Sequence, residues 1–274
     1  MIQKLKRIKS KFRYYFIKRK RYLFKKILDN FSLLDKTFAD TGFKSNINND
    51  FINEEFESLS KDFVQNRWAY IENPIKDKYY KNILLSWPSA LFFNPRKPDN
   101  DIKIQDTGFK WGINISQKMI NKNLKYINSF PGFKGFYEYL KSKQFCEKVR
   151  NIINIDEEVC CYYISSRVSS GGSYLDFHMD GAGLEKLNRN KAINIVWHIN
   201  GINGSRNGGL CLATKENVVD IWPEGLLHES KQLKNSCFIY DTSHDLGYYH
   251  GYPPMNKNSF RWVITSQFLP KNLI

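Results

Sequence analysis

The chain has 274 residues, of which 42% are hydrophobic and 15% aromatic, enough apolar material for one folded domain with a buried core and too much for a disordered chain. Its formal charge of +15, from 42 Lys and Arg against 27 Asp and Glu, points toward phosphate or anionic lipid. Residues 1–30 hold twelve Lys and Arg against Asp29 alone, or +11, so the remainder carries only +4 and a nucleic-acid partner is disfavoured.

Residues 1–40 read as a basic amphipathic helical arm. Ile2, Leu5, Ile8, Phe12, Tyr15 and Phe16 recur at spacings of three and four opposite a face of Lys and Arg. Such an arm suits packing on the domain, or peripheral contact with an anionic membrane through residues 1–30. No apolar h-region follows the basic start, which argues against a secretory signal, and no run of about 18 apolar residues would span a membrane. The cysteines, five in number, form no CxxC pair, so neither a disulfide framework nor a cysteine zinc site is indicated, and a reduced cytoplasm fits.

Residues 41–66 are polar and read as a linker with one short helix, and 67–274 as the folded domain. Trp68–Ile71 is its first predicted strand. Lys76–Trp87 reads as a helix closed by Pro88, residues 94–125 as loop-rich, and Gly135–Ile153 as a second helix. From residue 156 to 270 the texture becomes β. Runs at Val159–Val168, Tyr174–His178, Ala192–Ile199, Gly209–Ala213, Val218–Trp222, Ser236–Tyr240, Leu246–His250 and Phe260–Phe268 are punctuated by Gly, Asn, Asp or Pro. Eight such strands predict a mainly β fold, a jelly roll or barrel with the helices packed on one sheet.

The chemistry gathers around the histidines, which number five. In GGSYLDFHMDG, His178 and Asp180 stand two apart at a predicted strand end, where side chains at i and i+2 share a face. With a third ligand from another strand they would make the two-histidine, one-carboxylate triad that holds non-haem Fe(II) with open positions. His250 ends the aromatic run YYHGYPP, and Arg261 opens the last strand eleven positions on. A hairpin between those two strands would bring Arg261 to the metal face, where its planar fork suits a carboxylate.

His178, Asp180, His250 and Arg261, in that order, resemble the iron(II)/2-oxoglutarate-dependent dioxygenase superfamily, in its prolyl 4-hydroxylase-like branch. Gly172–Tyr174, Asn207–Leu210 (NGGL) and Asn235–Asp241 (NSCFIYD) add accessory matches, the whole covering roughly residues 68–270. The resemblance implies a double-stranded β-helix with His178, Asp180 and His250 as metal ligands and Arg261 gripping the far carboxylate of 2-oxoglutarate. It implies hydroxylation of a substrate C–H bond using Fe(II), 2-oxoglutarate and O2, with release of succinate and CO2. The 225–234 stretch is longer than the family's usual turn, and the arm has no counterpart there.

His244, in DTSHDLG, competes with His250 but reads better as a turn residue. His198 shares a strand face with Asn194 and Val196 and reads as a core or supporting residue; His228 reads as solvated. Tyr163, Tyr174 and Asn194 are weaker candidates for 2-oxoglutarate contact, and Trp197, Trp222 and Trp262 read as core. Residues 94–125 and 181–191 are expected at the entrance, where Lys186, Arg189 and Lys191 suggest an anionic small-molecule or protein substrate. The contrasting reading is a non-catalytic jelly-roll module whose basic arm binds an anionic membrane surface or nucleic acid.

Overall fold

The computed structural model describes residues 16, 19, 50–88, 94–95, 111–114, 130–179, 192–218, 223, 225–243 and 246–273. The rest of the arm, Asp180, the 181–191 loop, Trp222 and His244 lie outside the described residues.

Four α-helices have described bounds: α1 (Leu59–Asn66), α2 (Asp77–Leu85), α3 (Pro131–Leu140) and α4 (Lys143–Ile153); Phe16 and Arg19 of the arm are helical too. The strands are β1 (Trp68–Glu72), β2 (Asn94–Pro95), β3 (Trp111–Asn114), β4 (Val159–Ser170), β5 (Leu175–His178), β6 (Ile193–Gly201), β7 (Cys211–Thr214), β8 (His228–Glu229), β9 (Ser236–Asp241), β10 (Tyr248–Tyr252) and β11 (Phe260–Pro270). They form a seven-stranded major sheet in the order β1-β9-β6-β11-β4-β3-β2 and a four-stranded minor sheet in the order β5-β10-β7-β8. Every pairing is antiparallel.

β6 shows why this sequence makes a layered molecule. Ile193, Ile195, Trp197 and Ile199 alternate toward the helices and join their core, while Asn194, Val196 and His198 turn to the opposite face. Both faces are covered, so the strand is buried almost throughout and reads as one continuous apolar run. The Trp197 ring stands 5.7 Å from Phe56, 5.3 Å from Phe136 and 5.8 Å from Phe145, with its indole N–H donating to Ser266 Oγ at 3.2 Å. Apolar burial of this kind contributes roughly 25 cal/mol per Å². Close approach also needs Gly132 in α3: a Cβ there would lie 2.3 Å from the backbone oxygen of Asn82 in α2.

Three expectations are corrected. Residues 50–66 are not linker: Phe51, Ile52, Phe56, Leu59 and Phe63 are all buried in the main core, an apolar stripe at helical spacing set among acids and amides. The helix expected over Gly135–Ile153 is two, because Ser142 is extended at ψ 152° and its hydroxyl accepts from the Phe145 amide at 3.2 Å, capping α4. Within the loop-rich 94–125, Asn94–Pro95 and Trp111–Asn114 extend the major sheet beyond β4. The other predicted strands are found within a few residues of their expected bounds, apart from Val218–Trp222, most of which lies outside the described residues. All five cysteines are free thiols, and no described helix is long and apolar enough to cross a membrane.

Candidate active site

Between the inner faces of the two sheets lies a cavity of about 230 Å³. The minor sheet contributes His178 and His250, which sit directly opposite one another in the β5–β10 register, ring centroids 4.4 Å apart. Cross-strand partners in an antiparallel pair project on one side of the sheet, so two residues 72 positions apart in sequence present imidazoles to one space. Tyr240, from β9 on the opposite wall, packs 4.9 Å from the His250 ring and accepts from the Asn194 side-chain amide at 2.9 Å. Asp180 lies outside the described residues, and among the described residues no group of three His, Cys, Asp or Glu gathers as a metal cage.

Arg261 comes from the facing wall. The expected hairpin between its strand and that of His250 does not form: β10 pairs with β5 and β7, whereas β11 pairs with β4 and β6 in the other sheet. The intervening PPMNKNS segment crosses between sheets, so Arg261 approaches the histidine side from across the cavity. It is 5% exposed, its guanidinium donates to the Gly208 carbonyl, and its Cζ lies 4.3 Å over the Tyr252 ring. Among the described residues its buried Nε–H has no partner, and no carboxylate pairs with it. Burial, and to a lesser extent the nearby Arg167 guanidinium, push its pKa down, yet arginine remains charged. A buried unpaired cation is costly, and its fork is shaped for a carboxylate.

The NGGL segment supports this cation. Gly208 has φ +95°, and a Cβ there would stand 2.7 Å from Arg261 Cδ and 2.8 Å from Met255 Sδ, so only glycine brings the carbonyl so close to the guanidinium. Asn207 Oδ1 accepts from the Asn256 amide at 2.9 Å and from the Ser259 hydroxyl, tying this turn to the segment that leads into β11. Three residues on from Asn207, the Leu210 amide donates to His198 Nε2 at 3.4 Å, while Nδ1 lies 3.3 Å from Ser236 Oγ. Burial, with Arg261 second, lowers the His198 pKa far below its usual value. This keeps a neutral ring bracing the turn that holds Arg261, the supporting place expected of His198.

Tyr163, Asn194 and the methyl-bearing Thr265 line the cavity, as do Arg167, Ser169 and Gln267. Tyr174 is buried. Sequence reading missed Arg167 and Gln267, although alternation along β4 and β11 gives Arg167 the parity of Tyr163, and Gln267 the parity of Arg261. His228 is not solvated as expected: it stacks on Phe238 at 4.9 Å and 6°, with Tyr70 at 4.7 Å and Trp68 at 5.3 Å. Burial lowers its pKa to about 4. Trp197 is core as expected, and Trp262 is half-buried, stacked at 5.3 Å on Trp87.

No family model matches the sequence, and no curated protein matches it. Solved structures do. A prolyl hydroxylase from Trichoplax adhaerens, in complex with a hypoxia inducible factor oxygen degradation domain peptide fragment, is similar at TM-score 0.52 and 12% identity, over 80% of this chain and 93% of that one. The non-haem alpha ketoglutarate dependent epimerase SnoN from nogalamycin biosynthesis is similar at 0.54 and 5% identity, over 78% and 82%. HygX from Streptomyces hygroscopicus, with nickel, 2-oxoglutarate and hygromycin B bound, is similar at 0.50 and 9% identity, over 78% and 87%. The chain has the jelly-roll fold of the 2-oxoglutarate-dependent Fe(II) oxygenases.

Proposed function

We propose that the protein is an Fe(II)- and 2-oxoglutarate-dependent oxygenase that hydroxylates a C–H bond of an organic substrate. One observation carries the reading: a cross-strand pair of histidines and a buried guanidinium that has no carboxylate partner among the described residues share one cavity, on the fold of that superfamily. Two imidazoles and a carboxylate are the donor set that suits Fe(II) and leaves positions open, and the free Nε–H of Arg261 is an orphan that a co-substrate carboxylate would satisfy.

In this reading His178, His250 and Asp180 hold the metal, and Arg261 holds the far carboxylate of 2-oxoglutarate. When bound, iron, 2-oxoglutarate and O2 supply the oxidative chemistry, with succinate and CO2 released. The chain orients and shields. Tyr252 and the Gly208 carbonyl fix the guanidinium, while Leu175, Val196 and Leu210 make the apolar part of the wall that excludes water. One structural neighbour is solved with a peptide fragment and another with hygromycin B, which supports a protein segment or a small molecule as the substrate class. Anaerobic protein loaded with Fe(II) should gain a visible charge-transfer absorption on addition of 2-oxoglutarate and release succinate when O2 is admitted. His178→Ala should abolish both. A folded protein that neither binds Fe(II) nor changes its spectrum with 2-oxoglutarate refutes the reading.

A further inference from the structure

The cavity holds a second cation. Arg167 lies on β4, whose inner-face residues Tyr163, Arg167 and Ser169 all line the space. Ser169 is the register partner of Arg261, so Arg167, two residues away, is its diagonal neighbour, about 7–8 Å distant between Cα atoms. The side chain is half-buried, and among the described residues it makes no hydrogen bond or ion pair. The two guanidiniums feel each other, since Arg167 is among the groups that lower the Arg261 pKa, and no acidic side chain lies among the described lining residues.

Charge counting then separates their roles, resting on the function proposed above. Fe(II), one ligand carboxylate, dianionic 2-oxoglutarate and Arg261 sum to zero, which leaves Arg167 as an uncompensated positive charge on the cavity wall. β4 is also the strand nearer the β3–β2 side of the sheet, whereas Arg261 lies between β4 and β6. A planar fork with free donors on that wall is built to receive an oxyanion.

We propose that Arg167 is the substrate-reading cation of this site, and that the substrate carries an oxyanion, a carboxylate or a phosphate, which pairs with Arg167 while the co-substrate occupies Arg261. The competing role for Arg167 is to grip 2-oxoglutarate itself.

The test uses full-length protein loaded with Mn(II), a paramagnetic ion that performs no turnover, and saturated with 2-oxoglutarate. Inorganic phosphate is titrated in and its 31P relaxation measured; acetate, followed by its methyl protons, forms a second arm that distinguishes phosphate from carboxylate preference. Enhanced relaxation of either probe is expected in the wild type, weaker by about tenfold or more in affinity in Arg167→Gln, the loss of one charge-assisted pair, and restored in large part by Arg167→Lys. Co-substrate half-saturation, measured by calorimetry, should shift less than about twofold in Arg167→Gln. Equal probe relaxation in wild type and Arg167→Gln overturns the proposal, and so does a tenfold weaker 2-oxoglutarate affinity in Arg167→Gln, which assigns the residue to the co-substrate. Wild-type protein that binds no 2-oxoglutarate with Mn(II) present refutes the underlying function, and the proposal falls with it.

Discussion

Arg261→Met is the perturbation that most directly interrogates the cavity, because it removes a charge at nearly constant side-chain length. In the resting protein the guanidinium is 5% exposed and is compensated by the Gly208 carbonyl and the Tyr252 ring at 4.3 Å. Losing a desolvated cation–π contact costs about 2 kcal/mol, and losing a hydrogen bond to a charged group about 1.5–3 kcal/mol. Against this stands the relief of burying an ion, several kcal/mol. The two sides nearly cancel, so unfolding free energy without ligand should stay within about 2 kcal/mol of wild type. Co-substrate binding has no such offset. A carboxylate about 4 Å from the guanidinium, at an effective dielectric of about 20, is attracted by about 4 kcal/mol; desolvating the carboxylate takes back part, leaving about 2–3 kcal/mol, or about 30- to 150-fold in affinity. Half-saturation for 2-oxoglutarate, read from charge-transfer absorption of anaerobic Fe(II) protein, and urea unfolding of the unliganded protein measure the two halves. A variant that binds 2-oxoglutarate within about threefold of wild type, or one destabilised by more than about 4 kcal/mol, would show that Arg261 is a structural cation and sink the argument.

Gly208→Ala should act on the same cation from behind: its Cβ meets Arg261 Cδ at 2.7 Å and the backbone sits at φ +95°, so weaker 2-oxoglutarate binding together with a loss of about 1–2 kcal/mol of stability is expected, and wild-type values by calorimetry and urea titration would contradict it. Burial holds the folded-state pKa of His228 at about 4, below its ordinary value near 6.5, so between these values the unfolded chain binds the extra proton and stability rises with pH. Stability from this residue is present above about pH 6.5 and is lost as pH falls toward 4. After discounting for partial solvent screening, His228→Phe should flatten the acid limb of unfolding free energy by about 1–2 kcal/mol, and an unchanged limb between pH 6.5 and 4 would refute it. Ser142→Ala removes the cap of α4 and should lower stability by about 1 kcal/mol in urea unfolding; a change below about 0.3 kcal/mol would mean that packing alone sets that helix start.

What was legible in the sequence followed local periodicity. Alternation over Ile193–Ile199 marked a strand, and it put Asn194, Val196 and His198 on one face, which proves to be the inner one. What was hidden depended on partners distant in sequence. Strands as short as Trp111–Asn114 exist because β4 offers unpaired backbone groups beside them, a fact no local pattern encodes. The order His178, His250, Arg261 was readable, and the structure brings all three to one cavity, but the route was misread. A spacing of eleven positions from His250 to Arg261 suits a hairpin as well as a crossover, and only the pairing of β10 with β5 and β7 decides between them. His228 was misread because polarity within a loop said nothing about Trp68, Tyr70 and Phe238, which arrive from two other strands to cover it. Arg167 was passed over because the resemblance assigned one cation, although its parity on β4 was visible.

The crossover has a consequence that a hairpin would lack. With the histidines on the minor sheet and both arginines on the major sheet, the distance between imidazoles and guanidiniums is set by sheet-to-sheet packing, about 10 Å in such sandwiches, and not by a strand register. A rigid backing on the arginine side then matters more than one on the histidine side. The major sheet has it: the buried aromatics Phe136 of α3 and Phe145 of α4 press on β6 and β11 through Trp197 and Phe268. The minor sheet has short strands, and among the described residues no helix makes principal contacts with it. Differences in backing of this kind favour motion in the thinner layer, so among the described residues the arginine-bearing wall is the better braced of the two.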